Sequence, residues 1–238
     1  MEGILNKLPW NLVSKLQEDP IQLEALFFGV GGFLESNCND EYYQLLKEKF
    51  EFLQNKFHLK IINLQNWYFL RLRPAHFPTL RIAQLSNYFS SQKRPFLDII
   101  QMNNLTEVFD ALKMSPSSYW HTHYQFNVKS TYKLHNLGDS SKNVLIINVI
   151  IPLLYSYGLL HFKQDISNKA LNWYEELKPE NNVYTRRWNK LQFQVKNALQ
   201  SQASIHQFKE YCSNKKCLDC KIGYHILYHT SPESFIFV

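Results

Sequence analysis

Glycine is scarce in this chain, seven residues in 238, and so are charges, at 19% against roughly 25% in ordinary soluble domains. With so few glycines there is no flexible linker, no repeat array and no phosphate-cradling loop. Gly29-Val30-Gly31-Gly32 is the one glycine cluster, and Leu23 to Leu34 reads as a helix-to-turn junction in which glycine permits close packing. The low charge, set beside 15% aromatic residues, excludes disorder. No P-loop, dinucleotide fingerprint, H-E-x-x-H or G-x-S-x-G string is present, which removes the enzyme classes those motifs mark. Four cysteines are too few for a disulfide scaffold. Met1-Glu2-Gly3-Ile4-Leu5 has no basic n-region, apolar h-region or cleavage site, so a reducing cytoplasm is the expected location. The longest apolar stretch, Val144 to Leu160, is broken by Asn148, Pro152 and Ser156. It reads as a helix buried on all sides, with no membrane role.

What remains is helical periodicity. Tyr42, Leu46, Phe50, Leu53 and Phe57 share one face of a helix capped by Asn39 or Asp40. Asn104-x-x-Glu107 has the form of a capping box, with Leu105, Val108, Phe109 and Leu112 inward. Ser140 or Ser141 caps the apolar helix, and Pro152 kinks it by clashing with the Asn148 carbonyl. Ala198, Ser201, Ile205, Phe208 and Cys212 form another stripe. These patterns predict an all-α fold of about nine helices with at most a small two-stranded β element. Lys60 to Leu72 and Tyr119 to Tyr132 are the extended candidates and could pair. A chain of this length buries roughly three-quarters of its unfolded surface as a single domain over 1–238. A soft subdivision falls at Asn127 to Ser141.

Three constellations could carry chemistry. Cys212-x4-Cys217-x2-Cys220 brings two thiolates to one ion with a third from the preceding helix end, and His225 or Cys38 would complete a tetrahedron around Zn. Lys215, Lys216 and Lys221 would offset the thiolate charge. The cluster is one ligand short, and the competing reading packs the thiols as small hydrophobes, Cys212 on its helical stripe. Packing is preferred. In the second, Arg71, Arg73 and Arg81 flank two prolines that forbid regular helix, and Pro78 opens the next one. Their guanidiniums could converge on phosphate or carboxylate, or they could hold the turn together by binding Glu24, Glu35 or helix-end carbonyls. In the third, His121 and His123 would lie on one face of a strand, open to a metal or to general-base work. Between Trp120 and Tyr124 they fit equally well into an aromatic cluster.

Several strings together resemble a known family. They are Gln22 to Gly29, Phe69 to Gln84 (FLRLRPAHFPTLRIAQ), Tyr119-Trp120 with His123-Tyr124, Ile147 to Gly158, and Tyr211 to Gly223 (YCSNKKCLDCKIG). The set is similar to the Bacteroidetes proteins grouped as domain-of-unknown-function family 2851. The resemblance implies no activity. Members are longer and carry a strand-rich N-terminal half, so this chain resembles their C-terminal half. His76 stands where the family pattern expects Asn.

The net charge of +6 and pI near 9.0 suit an anionic partner. The first functional expectation is therefore a binding module for nucleic acid or another anionic partner. A second is the helical half of an enzyme whose catalytic N-terminal half is a separate subunit or is missing. A third is a scaffold that packs on that half and exposes a large apolar patch.

Overall fold

The computed structural model describes residues 2–229, an all-α chain with one two-stranded sheet. There are thirteen α-helical segments among the described residues, more and shorter than the nine expected. They fall into two compact units, Met1–Lys142 and Asn143–Val238.

The first unit is built around α3 (Pro20–Val30). Pro20 opens this helix, and the Asp19 carboxylate caps it by accepting the Gln22 N–H at 3.0 Å. Leu23 through Val30 are all buried, so α3 is a core helix covered on every side. Each large apolar side chain buried there contributes about 1.5–3 kcal/mol. α4 (Glu41–Phe57) packs against it with Tyr43, Leu46, Phe50 and Leu53 buried, and Asp40 supplies the expected cap. Gly29 lets the two helices meet, since a Cβ there would lie 2.1 Å from the Phe50 ring. Gly32, at φ +79°, turns the chain where a Cβ would strike the Ile62 carbonyl. α5 (Pro78–Ser91) covers another side of α3. Shorter helices α1 (Glu2–Leu5), α2 (Trp10–Leu16), α6 (Pro95–Gln101) and α7 (Leu105–Ala111) complete the unit. Asn104 caps α7 as expected, and the Glu107 carboxylate reaches back to the Asn103 N–H at 3.0 Å.

The expected pairing of Lys60 to Leu72 with Tyr119 to Tyr132 does not form. Residues 60–72 are irregular with one 3-10 turn, because Trp67 and Phe69 insert from a loop into the aromatic core, each against the Phe33 ring. The sheet is a hairpin inside the second segment, β1 (His123–Gln125) against β2 (Val128–Lys129). Asn127 makes the turn at φ +58°, a conformation asparagine tolerates.

α8 (Asp139–Leu145) begins in the last residues of the first unit and ends in the second; with a π-helical turn at Ile146–Ile150 and α9 (Ile151–Leu160) it makes up the 22-residue helix Asp139–Leu160. α8 begins at Asp139, one residue before the expected serine cap. By length and composition this helix could cross a bilayer. It is not buried on all sides. Ile146, Ile147, Ile150, Ile151 and Leu154 face inward, while Val144, Val149, Leu153, Leu159 and Leu160 are exposed. The π turn also takes the place of the expected Pro152 clash. Its i→i−5 register has the Ile151 N–H bonding to Ile146 O, so the next acceptor in line is the Ile147 carbonyl. Pro152 has no N–H to give it, and the Tyr174 hydroxyl donates to that oxygen at 2.8 Å instead. Tyr174 belongs to α10 (Gln164–Glu176), which packs along α9. α11 (Val183–Lys190), α12 (Ala198–His206) and α13 (Lys221–His229) follow.

Candidate functional site

The loop that carries Trp67 and Phe69 also forms one wall of an open groove of about 970 Å³ in the first unit. Tyr43 and Phe126 add rings to the lining, and Asn37, Gln65, Gln125 and Asn127 add amides. Cys38 lines the same groove. Trp67 is fixed by its indole N–H, which donates to the Gly31 carbonyl at 2.8 Å. Tyr68, between the two inserted rings, is 78% exposed. Rings for stacking beside amides for hydrogen bonding make a lining suited to a flat polar ligand.

The arginines follow directly on this wall. Phe69 to Leu72 is a hydrogen-bonded turn, Leu72 N–H to Phe69 O at 3.2 Å, with Arg71 held at φ +64°. Glycine suits that left-handed position, and an arginine there costs about 1–2 kcal/mol. Arg71 and Arg73 are exposed; Arg81 is half-buried in the first turn of α5. None of the three pairs with a carboxylate among the described residues, so the Glu24 and Glu35 partners expected for a structural role are not used. Arg81 donates to Gln84 Oε1 at 2.9 Å and to Ser141 Oγ at 3.3 Å, with His76 Nδ1 at 3.0 Å, all neutral acceptors. Burial pulls its pKa down, because the cation has lost water without gaining an anion. His76, Gln84 and Ser141 were not visible as members of this cluster in the sequence. Gln84 and His76 lie within five residues of Arg81, but Ser141 arrives from 60 residues away.

Deeper in the same unit is a buried polar network. Glu24, 3% exposed, accepts the Trp120 indole N–H at 2.6 Å and has no cation beside it among the described residues. Burial pushes its carboxyl up to about 7, against hydrogen bonds from Trp120, Ser117 and Tyr42 that pull it down. Tyr42 stacks on Tyr119, and Tyr119 stacks on His123. The Tyr119 hydroxyl donates to Asp40 at 2.7 Å and accepts the Asn127 N–H at the groove edge. His121 and His123 do not share a strand face: His121 ends the 3-10 turn Ser118–His121, and His123 begins β1. His123 Nδ1 is held by the Tyr119 carbonyl at 2.9 Å and Thr122 at 3.1 Å. His135, 4% exposed, has no hydrogen-bond partner on either ring nitrogen, and its ring meets Tyr124 edge-on. Burial and the nearby Lys133 and His121 charges lower its pKa, which keeps a dry imidazole neutral.

Residues 1–183 match the family described as Protein of unknown function (DUF2851). The chain belongs to that family. No curated protein and no solved structure matches it. The DUF2851 match spans the whole first unit, with the groove and the arginine turn, and ends at the first residue of α11. The cysteine loop lies beyond it.

That loop belongs to the second unit. Cys212, Cys217 and Cys220 line one apolar pocket of about 170 Å³, together with Trp188 and Gln207. Cys220 is buried, Cys217 is exposed, and Cys212 is exposed rather than on the buried stripe. Its stripe fails because Gln207–Cys212 is π-helical and shifts the phase. The Cys212 thiol is pushed up by burial and then by its neighbours Cys220 and Cys217. No three His, Cys, Asp or Glu groups are gathered around a metal-sized point among the described residues. His225 is exposed on α13.

Proposed function

We propose that this DUF2851 protein binds single-stranded nucleic acid along the groove of its first unit. The observation that carries the reading is the arginine turn: three guanidiniums without carboxylate partners, one on a strained backbone, next to a wall of aromatic rings and amides. Arg71 and Arg73 would hold phosphates, and bases would stack on Tyr68 and on the open edges of Trp67 and Phe69. Asn37, Gln125 and Asn127 would meet base edges, with Arg81 as a fixed positive charge at the start of α5. The net charge of +6 favours the encounter, and a cytoplasmic site of action is consistent with such a ligand. The enzymatic reading through His121 and His123 has less support, because His123 is clamped on Tyr119 with Nδ1 already engaged.

The test is fluorescence anisotropy with labelled single-stranded DNA and RNA, beginning at about 50 mM salt, where log K should fall by about 0.7 per neutralised phosphate for each log of salt. Arg71→Gly together with Arg73→Ala should lower that slope by about 1.4. Glycine at 71 relieves the backbone, so the variant should keep the parent's melting temperature while losing affinity. Absence of any binding at low salt sinks the reading.

The exposed outer face of the Asp139–Leu160 helix supports the scaffold as a second reading, in which a separate subunit covers Val149, Leu153 and Leu160. Sedimentation of the chain with such a subunit would test it.

A further inference from the structure

A strap without regular structure, residues 130–138, leads from the hairpin to α8 within the first unit. Its near end continues the hairpin: the Ser130 N–H donates to the Thr122 carbonyl at 2.7 Å and the Lys133 N–H to the His121 carbonyl at 2.8 Å. Its far end is tied by the Leu137 N–H to the Met114 carbonyl at 2.9 Å, and by the Ser115 hydroxyl to Asn136 Oδ1 at 2.9 Å. Between the two ties sits His135. Its backbone is left-handed at φ +50°, a conformation that glycine adopts without strain. Its ring is buried, and neither nitrogen has a hydrogen-bond partner. A neutral imidazole carries one N–H and one lone pair, and here both go unsatisfied. Native folds rarely leave such groups dry without a reason. The bond that holds His135 is to its backbone, where the Gln84 amide of α5 donates to the His135 carbonyl at 2.5 Å. Gln84 Oε1 accepts from Arg81, so strap and guanidinium meet on one side chain.

We propose that His135 is the latch of an acid-sensitive strap: when its ring takes a proton from solvent, residues 130–138 come away from α5. The neutral ring keeps its place through the edge-on contact with Tyr124. The imidazolium has two N–H donors and a charge, and the site offers it no acceptor among the described residues. Facing the ring or its carbonyl are Tyr124 from β1, His121 from the 3-10 turn, Lys133 from the strap itself and Gln84 from α5, with Arg81 behind it. Asp139, the next carboxylate along the chain, is exposed and pairs with Lys142 at 3.6 Å. Burial and the neighbouring positive charges hold the ring's pKa below its ordinary 6.5. An open strap lets the ring take its proton from about pH 6.5 downward, and a closed strap only at lower pH. Closure is therefore fully stable above about pH 6.5 and weakens by up to about tenfold per pH unit below it. Opening removes the carbonyl that orients the Gln84 amide, and with it the fixed position of Arg81. The latch works with the groove empty, so it stands apart from the nucleic-acid reading.

The experiment is nuclear magnetic resonance on the full chain without ligand, between about pH 4.5 and about pH 8. It follows the His135 ring shifts and the hydrogen-exchange protection of the Lys133 and Leu137 amides, corrected for the intrinsic exchange rate. His135 should titrate below 6.5, and both amides should lose protection about five- to twentyfold between about pH 7 and about pH 5. The opening is local, so these two amides should exchange faster than those of Leu46 and Phe50 in α4 throughout. His135→Leu keeps an apolar side chain against Tyr124 and takes no proton, so its strap protection should not vary over this range. His121→Gln should keep the loss. A His135 pKa at or above 6.5 in the parent overturns the proposal, whatever the variant does. So does the same acid loss of protection in the His135→Leu chain, or exchange of the strap only at the rate of the α4 amides.

Discussion

Glu24 stores a pH-dependent cost that one substitution should release. Its carboxyl is buried against the Trp120 indole with no cation, and its folded pKa is about 7 against an ordinary 4.5. Between those two values the native state holds a proton that the unfolded chain has lost. Unfolding free energy therefore falls as pH rises through this window, and the loss is complete above about 7. At about 1.4 kcal/mol per pH unit, the displacement is worth on the order of 3 kcal/mol. Glu24→Gln mimics the protonated acid: its amide oxygen still accepts from Trp120, and its NH2 can donate to the Tyr42 or Ser117 hydroxyls. The assay is urea unfolding of both proteins, followed by tryptophan fluorescence at about pH 4 and about pH 9. Other titrating groups cancel in the difference between the two proteins. The variant should match the parent at the lower pH and exceed it by about 3 kcal/mol at the higher one. An equal gap at both pH values would refute the account of a buried, uncompensated carboxylate.

Two other substitutions test the packing. Gly29→Ala puts a methyl into the Phe50 ring and should cost about 2–3 kcal/mol, read as a lowered melting temperature; an unchanged one would mean α3 and α4 can slide apart. Tyr174→Phe removes the donor to the Ile147 carbonyl and should cost about 1 kcal/mol in the same assay. No loss would mean that this carbonyl finds another donor.

The sequence was readable where one local rule decides the outcome. Asp40 and Asn104 cap because short polar side chains reach the free N–H groups of the next turn, and the α4 face follows from strict helical spacing. Reading failed where a single residue changed the phase or a distant one supplied the partner. Both π turns shift the apolar register by one residue, which moved Cys212 off its stripe. The α9 sequence is apolar all round, yet its neighbours cover only one face of it. Residues 60–72 looked extended because they are rich in aromatics, but Trp67 and Phe69 are plugs in a coil. The Arg-Pro segment was visible as a basic turn. The neutral shell of Arg81 was not, because Ser141 and His76 carry no signal of their own. Glu24 was read as an available acid, and nothing in the local sequence says that it faces an indole.

The π turn before Pro152 also constrains how this helix can change over evolutionary time. Its extra residue and the proline form an ordered pair of events. With the insertion present, proline meets a widened turn whose free carbonyl already has the Tyr174 hydroxyl. With the insertion deleted and the proline kept, the ring returns to a regular helix and costs about 3 kcal/mol or more. The reverse intermediate, insertion without proline, carries no such clash. A lineage could therefore acquire the wide turn first and the proline second, and could lose them only in the opposite order. In relatives, proline at this position should occur only where the additional residue is also present.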